Sequence, residues 1–382
     1  MSDDLETYIR DNENLFTKIR HHLHQNPELS CEEYETSAYI QSLLNEWGIS
    51  YKKTGVSSVV ATIDGNGTGT STGKTIALRG DIDALPIQEE TNLPWKSQKQ
   101  GVMHACGHDV HTTFMLGCAK LLNEHKNEIN GTVKIIFQEG EEIGAGAKVI
   151  MDSGLIDDVD TIIALHISQE LDLGVFSIGY GVMSSYGAGG KITIRTEPDL
   201  NALVVAGECV SIITALAEEK FPKSEQIVMV PTMVTTEKTV NAKPVEVILA
   251  YNTRTLNYSN EEIMQKVLVT GSEKISSIFN CKAEVELRKP GNVVNNDTHF
   301  TNLAATIIKK YFGEASLLYG RPVMTGEDFA LYQKKISGTY IHIGGAVNSE
   351  YRALHTSKTY VDDSILPIGI EFLIRYVFEF LS

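Results

Sequence analysis

The stretch His104-Ala105-Cys106-Gly107-His108-Asp109-Val110-His111 contains one thiol, three imidazoles and one carboxylate. Such a density of metal-binding side chains is unusual in a protein core or on an ordinary surface. A cysteine and a histidine separated by one residue, Cys106 and His108, suit zinc or a similar divalent ion. The segment Thr112 to Glu124 has apolar residues at helical spacing and predicts a helix directly after the cluster.

Strands and helices alternate on both sides of this stretch. Upstream, Thr75 to Leu78 predicts a short buried strand that leads into Arg79-Gly80-Asp81-Ile82-Asp83. Downstream, Val133 to Phe137 and Thr161 to Leu165 predict two further strands with a helix between them. This alternation predicts an α/β fold with a mixed sheet, in which functional side chains lie near the ends of strands.

The middle of the chain has a different pattern. Between residues 183 and 295 the predicted order of elements is β-α-β-β-α-β, which is typical of a ferredoxin-like domain. The α/β pattern then resumes and ends in a helix near residues 365–380. A chain of 382 residues is also too long for one ordinary core. We therefore predict a larger catalytic domain of residues 1–182 and 296–382, with a smaller domain, 183–295, inserted into it.

Composition excludes several classes of protein. The net charge of −16 argues against binding to nucleic acid or to an anionic membrane surface. Apolar runs are too short to span a bilayer, and the acidic N-terminus does not resemble a secretory signal. The five scattered cysteines favour free thiols in a reducing compartment over a disulfide framework. We expect a cytoplasmic protein.

Residues of metal-binding type recur near the ends of the predicted strands. They are Cys106, His108, Glu142, His166 and His355. Two divalent ions need roughly three protein ligands each, often with one group shared, so five ligands with a bridging thiolate or carboxylate fit a two-metal site. Such ions lower the pKa of a bound water to about 7.

Glu141 is suited to act as a general base because it adjoins Glu142, and neighbouring loop residues can point one carboxylate at a metal and the other at a water. Simpler interpretations exist for single residues: a lone histidine at a strand end is usually an ordinary polar residue, and adjacent glutamates are usually solvated. His21, His22 and His24 occupy helical positions that point in different directions, so we do not interpret them as a metal-binding tract.

The chain resembles the M20 metallopeptidase family, in the branch of aminoacylases and amidohydrolases. The matching motifs, whose order and combination are specific, are Leu23 to Leu29, Leu78 to Ile87, Met103 to His111, Phe137 to Glu142, Leu165-His166, Gly326 to Ala330 and Leu354-His355. The branch includes hippurate hydrolases, N-acetyldiaminopimelate deacetylases and auxin-conjugate hydrolases. The resemblance implies an α/β catalytic domain with a ferredoxin-like lid and a two-metal site.

The resemblance also implies how the ligands are shared. Cys106 would bridge the two ions, His108 and His166 would complete one site, and Glu142 and His355 the other. The ions would be zinc, manganese, cobalt or nickel.

Further roles follow from the same resemblance. Glu141 would be the general base and acid, and Asp83 would steady the site. Asn241 and Arg254 match the asparagine and arginine of the family's lid, which implies contact with the substrate.

The chain departs from the family at two places. The usual Gln-Pro-Ala-Glu-Glu is Gln-Glu-Gly-Glu-Glu at residues 138–142, which keeps both glutamates. The family's lid carries a Gly-Gly-His whose histidine polarises the scissile carbonyl in a partner subunit's site. Here the segment Arg195 to Leu200 has no histidine, and none lies between His166 and His299. We expect slow turnover of the usual substrates.

The expected function is metal-dependent hydrolysis of the amide bond in small N-acyl amino acids. Two alternatives stay open. One is a dipeptidase, which would need a site for the free amine of its substrate. The other is a weakened homologue that binds small acyl-amino acids or assists a partner, which the missing lid histidine favours and the intact ligand set disfavours. A homodimer formed through the lid is a further expectation.

Overall fold

The computed structural model describes residues 4–67, 73–237, 240–289, 291–347 and 352–382. The α-helices are α1 (Leu5–Gln25), α2 (Tyr34–Glu46), α3 (His108–Glu124), α4 (Gly146–Asp152), α5 (Ala202–Lys220), α6 (Tyr258–Phe279), α7 (Thr298–Ile307) and α8 (Ile365–Leu381). The strands are β1 (Ser50–Thr54), β2 (Ser58–Asp64), β3 (Thr75–Asp81), β4 (Thr132–Gln138), β5 (Thr161–Asp172), β6 (Phe176–Ile178), β7 (Gly181–Val182), β8 (Tyr186–Arg195), β9 (Ile227–Thr235), β10 (Glu246–Thr255), β11 (Lys282–Leu287), β12 (Asn295–Asn296), β13 (Leu317–Tyr319) and β14 (Ser337–Ala346). Short 3-10 turns span Lys126–Glu128, Glu314–Ser316 and Asp328–Lys334, and a π-helical turn spans Ile308–Phe312.

The chain folds into two compact units. The larger contains Met1–Gly181, Val294–Arg321 and Asp328–Ser382, and the smaller contains Val182–Val293 and Pro322–Glu327. The sequence pattern did not distinguish residues 322–327 from the larger domain. They join the smaller unit because their backbone pairs with its first residues: the Val323 N–H donates to the Met183 carbonyl at 3.0 Å.

A mixed sheet forms the centre of the larger unit. Its strand order is β1-β2-β4-β3-β5-β14-β6-β13. The neighbours β4-β3, β3-β5 and β5-β14 pair in parallel, whereas β1-β2 and β2-β4 pair antiparallel. Every residue of β3 is buried, as expected for a strand covered on both faces. The predicted mixed α/β fold is confirmed.

Helices α1, α3 and α8 pack against one another in the larger unit. The buried residues of α1 include Ile9, Phe16, Ile19 and Leu23, which recur at helical spacing and place one apolar stripe against the core. Helix α8 is apolar along much of its length, with twelve buried residues. Among the described residues, we find no helix whose length and apolar character would allow it to cross a membrane.

The smaller unit is a four-stranded antiparallel sheet with the order β11-β8-β10-β9. Helices α5 and α6 pack on each other and bury alternate residues of β8 and β10, such as Ile192 and Leu249. The elements follow the predicted β-α-β-β-α-β order along the chain. Strands β9 and β11 form the two edges of this sheet.

Candidate metal centre

The larger unit brings the five predicted ligand residues together, although three of them are not at strand ends. His166 lies inside β5, because β5 continues past Leu165 and His166 still pairs with His342 of β14. His108 is the first residue of α3, and Cys106 lies just before it. Gly107 makes this start possible because its φ of +84° is in the left-handed region.

The ligand atoms form two groups that share one sulfur. In the first group, the Sγ atom of Cys106 lies 3.6 Å from Nε2 of His166, and His108 completes the set. In the second, the same Sγ lies 3.2 Å from Nε2 of His355, whose Nε2 is 3.4 Å from Oε1 of Glu142. Within each group the candidate ligand atoms all lie within 4.8 Å of one another.

Two polar atoms of this cluster are not satisfied by the part of the chain that the structure describes. Nε2 of His108 and Oε1 of Glu142 are buried, have no hydrogen-bond partner among those residues, and lie 3.8 Å apart. Buried polar atoms are normally satisfied, so an orphaned pair at this distance needs an explanation. A thiolate, imidazole nitrogens and a carboxylate oxygen are the donor set that zinc and similar ions take. The residues therefore fit divalent metal ions.

Burial and neighbouring charges set the protonation of the imidazoles. Burial opposes the charged form of His108, but the nearby Asp81 carboxylate and the hydrogen bond to Asp83 act together with other contacts to raise the pKa of His108 well above its usual value. For His166, burial lowers the pKa well below the usual value, and His111 adds to the effect. The neutral ring of His166 is the form that binds a metal.

Asp83 connects several parts of the cluster. Its Oδ1 lies 3.1 Å from Nδ1 of His108, and its Oδ2 accepts the backbone N–H of Glu142 at 3.0 Å and the Ser30 hydroxyl at 2.7 Å. Burial opposes ionisation of Asp83, but the hydrogen bond and charge of His108, together with the hydrogen bond from Ser30, lower the pKa of the carboxyl. Orientation of a ligand ring by a carboxylate is common at metal centres.

His111 and Asp81 lie behind the candidate ligands and contact each other, and the sequence pattern gave no role for this pair. Nδ1 of His111 lies 2.6 Å from Oδ1 of Asp81, and Nε2 of His111 accepts the backbone N–H of Ile167 at 2.9 Å. Both side chains are buried. The signal was present in the sequence, since His111 belongs to the opening stretch, but spacing alone does not distinguish a ligand from a supporting residue.

Below the cluster, a buried network surrounds Arg79 of β3. Its guanidinium donates to Asp81 at 2.7 Å, to Asp328 at 2.8 Å and to the side-chain oxygen of Gln138 at 3.0 Å. Gln138 also donates to Asp328, and the Tyr332 hydroxyl donates to Gln138. Each buried charge in this network therefore has polar partners, which is the condition under which buried ion pairs are tolerated.

His355 has an unusual backbone conformation. Its φ is +60°, in the left-handed region that non-glycine residues seldom adopt. Its N–H donates to the Ala105 carbonyl at 2.8 Å, one residue before Cys106. The adjacent Glu142 carboxylate, whose Oε1 lies 3.4 Å from the ring, raises the pKa of His355. Backbone strain of this kind is concentrated at functional sites.

The three histidines of α1 have separate partners, in agreement with the expectation that they do not form a metal-binding tract. His24 contacts Asp109 at 2.9 Å, His21 contacts Asp363 at 2.7 Å, and His22 lies against the ring of Tyr39. Their separate partners agree with their different directions around a helix.

The two residues predicted to contact the substrate belong to the smaller unit. Asn241 is exposed in the turn before β10. Arg254 of β10 is half-buried, and burial lowers its pKa. A Cβ atom on Gly187 would lie 2.0 Å from Nη1 of Arg254, and one on Gly326 would lie 3.0 Å from it. These two glycines therefore leave the space that the guanidinium occupies.

The fold and this cluster define an α/β protein with a divalent-metal centre. More specifically, the chain belongs to peptidase family M20/M25/M40, whose sequence pattern matches residues 77–379. The resemblance to the M20 family drawn from its motifs is confirmed.

Curated relatives of the chain are amide hydrolases by name. The chain is 32% identical over 338 residues to N-acetyl-L-cysteine deacetylase of Bacillus subtilis (strain 168), covering 85% of this chain and 79% of that protein. It is 34% identical over 383 residues to IAA-amino acid hydrolase ILR1-like 5 of Arabidopsis thaliana, covering 95% of this chain and 86% of that protein.

A solved structure shares the fold over nearly the whole length. The YXEP protein of Bacillus subtilis, described as a dinuclear metal-binding peptidase of family M20, is similar with a TM-score of 0.82 and 29% identity. The similarity covers 97% of this chain and 99% of that one.

Proposed function

We propose that the protein is a metal-dependent amidohydrolase that cleaves the amide bond of small N-acyl amino acids, giving a carboxylate and a free amino acid. The main support is the pair of ligand groups that share Sγ of Cys106, next to an acidic loop. The names of the two curated relatives, a deacetylase of N-acetyl-L-cysteine and a hydrolase of an amino-acid conjugate, support this class of substrate.

The ligand assignment is part of the proposal. Cys106 would be shared by two divalent ions, zinc, manganese, cobalt or nickel. His108 and His166 would be further ligands of one ion, and Glu142 and His355 of the other. When bound, such a pair of ions supplies a Lewis acid for the amide carbonyl and makes hydroxide available near neutral pH. Asp83 orients the His108 ring through the 3.1 Å contact to its Nδ1.

Glu141 is the proposed proton carrier. One of its carboxylate oxygens lies within 4.8 Å of ligand atoms of both His108 and Glu142, so it adjoins the ligand groups. In the reaction, this carboxylate accepts a proton from the attacking water and returns it to the departing amine nitrogen. General acid–base groups of this kind typically contribute about 10²- to 10⁴-fold to the rate.

Asn241 and Arg254 are the proposed substrate contacts from the smaller unit. Asn241 can donate a neutral hydrogen bond and Arg254 a charged one, and donors of either type can stabilise a developing oxyanion. No histidine occurs between His166 and His299, so these two residues replace the family's lid histidine in our proposal.

We also propose that the smaller unit forms a homodimer through its edge. Val230, Met233 and Val234 of β9 are between 41% and 52% exposed on an edge strand, a type of surface that other chains can pair with. Sedimentation of the wild-type protein and of Val234→Lys tests this.

A reducing compartment, the cytoplasm, is the proposed location, because the five cysteines are free thiols.

The decisive experiment measures amine release by protein reconstituted separately with Zn²⁺, Mn²⁺, Co²⁺ and Ni²⁺. The substrates are a panel of N-acetyl, N-benzoyl and indole-acetyl amino acids, together with free dipeptides. We expect hydrolysis of N-acyl amino acids that chelation abolishes and that Glu141→Gln reduces. Hydrolysis of dipeptides alone would replace the proposal by a dipeptidase, and binding without hydrolysis under every metal would overturn it.

A further inference from the structure

Glu139 is a buried acid at a position where the family resemblance gives a proline. Its side chain is 1% exposed. One oxygen, Oε2, accepts the backbone N–H groups of Val56 at 2.9 Å, Ser57 at 2.5 Å and Ser58 at 2.9 Å. These three residues form the turn between β1 and the start of β2. Hydrogen bonds from N–H groups to an ionised carboxylate are among the stronger ones in proteins.

A second buried acid holds the next residue of the same loop. Oε1 of Glu33 accepts the backbone N–H of Gly140 at 2.9 Å, and its Oε2 lies 2.6 Å from Oγ of Ser57. Ser57 Oγ is also 3.1 Å from Oε2 of Glu139, so one hydroxyl connects the two acids. Glu33 and Ser57 are fully buried.

The region around Glu139 is closely packed. A Cβ atom on Gly55 would lie 2.5 Å from Oε1 of Glu139, and Gly55 itself has a φ of +62°. Gly140, where the family has alanine, has a φ of +58°, and a Cβ atom there would lie 2.9 Å from Sγ of Cys31. Both positions therefore require glycine, and the carboxylate occupies the space above one of them.

Glu141 lies in a loop that is attached at the residues on both sides of it. Its loop is attached at Glu139 through the side chain, at Gly140 through the N–H bond to Glu33, and at Glu142 through the N–H bond to Asp83. Proline restricts its own φ, whereas Glu139 and the following glycine leave the backbone more freedom. In this chain the constraint has to come from side-chain bonds.

We propose that Glu139 is a positioning residue for Glu141, because its buried carboxylate ties the loop of residues 139–142 to the β1–β2 turn. This inference rests on the proposed function for its kinetic part only. The residue touches no substrate; it acts by fixing the backbone from which Glu141 extends.

The test compares Glu139→Ala, Glu139→Gln and, as a matched control, Glu32→Ala, which alters an exposed acid beside Glu33. Turnover of N-acetyl-L-methionine by Mn²⁺-loaded protein, Mn²⁺ content and amide hydrogen exchange of residues 140–144 are measured. For Glu139→Ala we expect kcat to fall at least about tenfold with KM and Mn²⁺ content nearly unchanged, since small misplacements of a reacting group can cost about 10²-fold.

Exchange of residues 140–144 should become several-fold faster in Glu139→Ala, and Glu139→Gln should recover part of kcat because its amide oxygen can still accept N–H bonds. A kcat of Glu139→Ala within about twofold of wild type would overturn the inference. A fall in kcat that only reflects a smaller amount of folded protein would overturn it as well. If Glu139→Ala does not fold, amide hydrogen exchange of residues 140–144 in Glu139→Gln tests the inference instead. Exchange faster than in wild type supports the inference, and unchanged exchange rejects it. If the wild-type protein is inactive, the proposed function fails, while the exchange measurement still tests whether the Glu139 side chain holds the loop.

Discussion

His111 accepts the backbone N–H of Ile167 on its Nε2 atom at a distance of 2.9 Å. The acceptor role of Nε2 assigns the ring proton to Nδ1, which lies 2.6 Å from the Asp81 carboxylate. A single imidazole thus connects helix α3 to strand β5 at the residue that follows His166.

This connection predicts that His111→Phe weakens metal binding, although His111 is not among the proposed ligands. The variant keeps a ring but leaves the Ile167 N–H and Asp81 without this partner, so the backbone at His166 loses a support. We expect a 10- to 100-fold lower affinity for Co²⁺, roughly the range seen when residues supporting metal ligands are changed. Chelator competition measures it, with the exposed His299→Phe as control. Equal affinity in both variants would contradict the prediction.

Two adjacent glutamates should respond differently to the same substitution. Glu141→Gln should lower kcat by at least about 10²-fold with metal content retained, because only the proton carrier is lost. Glu142→Gln should instead lower the metal content, because it replaces a proposed ligand whose Oε1 is buried and has no hydrogen bond within the described ranges of the chain. Turnover and metal analysis on the same preparations separate the two. Near-normal kcat in Glu141→Gln would reject its role.

Arg79→Met should destabilise the larger unit strongly. It leaves Asp81 and Asp328 buried without the guanidinium, and breaking a buried ion pair on one side typically costs about 3–5 kcal/mol. Urea unfolding measures the change in the free energy of unfolding. The control is Arg195→Met, which breaks exposed pairs with Glu246 and Glu284 and should change stability little. Similar losses in the two variants would show that burial of the network matters less than its contacts suggest.

Stability should fall as pH rises from about 6.5 to above 9, and His24 should be one cause. Burial opposes its charge, but the Asp109 carboxylate and the hydrogen bond to Glu89 together outweigh burial and raise the pKa of His24 to about 9. A folded-state pKa above the unfolded value contributes stability that is complete below pH 6.5 and is lost through pH 9. The contribution is on the order of 3 kcal/mol.

The predicted loss of stability with rising pH is tested by measuring the free energy of unfolding of wild type and His24→Gln at pH 6 and at pH 9.5. The fall between the two pH values should be smaller in the variant, and the exposed His299→Gln should behave as wild type. If the free energy of unfolding of His24→Gln changes with pH as much as that of wild type, His24 is not the cause.

The absence of a lid histidine predicts slow hydrolysis of simple N-acetyl amino acids and a strong dependence on Asn241 or Arg254. The loss of one preorganised oxyanion donor typically costs about 2.7–4 kcal/mol, roughly 10²- to 10³-fold in kcat. We therefore expect Asn241→Ala or Arg254→Ala to lower turnover by that order across the substrate panel. Fast hydrolysis by wild type that neither substitution reduces would show that no donor from the smaller unit is needed.

The sequence predicted the fold class well because its strands are short and apolar and its motifs occur in a specific order. It predicted the proximity of Cys106, His108, Glu142, His166 and His355, which the structure brings into two groups. The positions of these residues in their elements were predicted less well. Pairing between β5 and β14 extends the strand past His166, and such pairing depends on residues far apart in the chain.

Supporting contacts were the least predictable part. The bonds from Glu139 to the Val56 N–H and from Glu33 to the Gly140 N–H join segments that no periodic pattern relates. The same holds for residues 322–327, which pair with the start of the smaller unit. A single chain shows the residue types but not the backbone groups that will need a partner.

The hydrogen bond from the His355 N–H to the Ala105 carbonyl has a consequence for biosynthesis. In the sequence, the residues of the smaller unit lie between Ala105 and His355. The ribosome must therefore make that unit before the thiol beside Ala105 meets its last partner. Strand β14, which pairs with β5, is also made late. During synthesis the inserted unit has its own complete set of strands, whereas Cys106 waits without the groups that surround it in the finished protein. A nascent chain is therefore vulnerable to oxidation or to capture of the wrong ion at this thiol until the segment around His355 emerges.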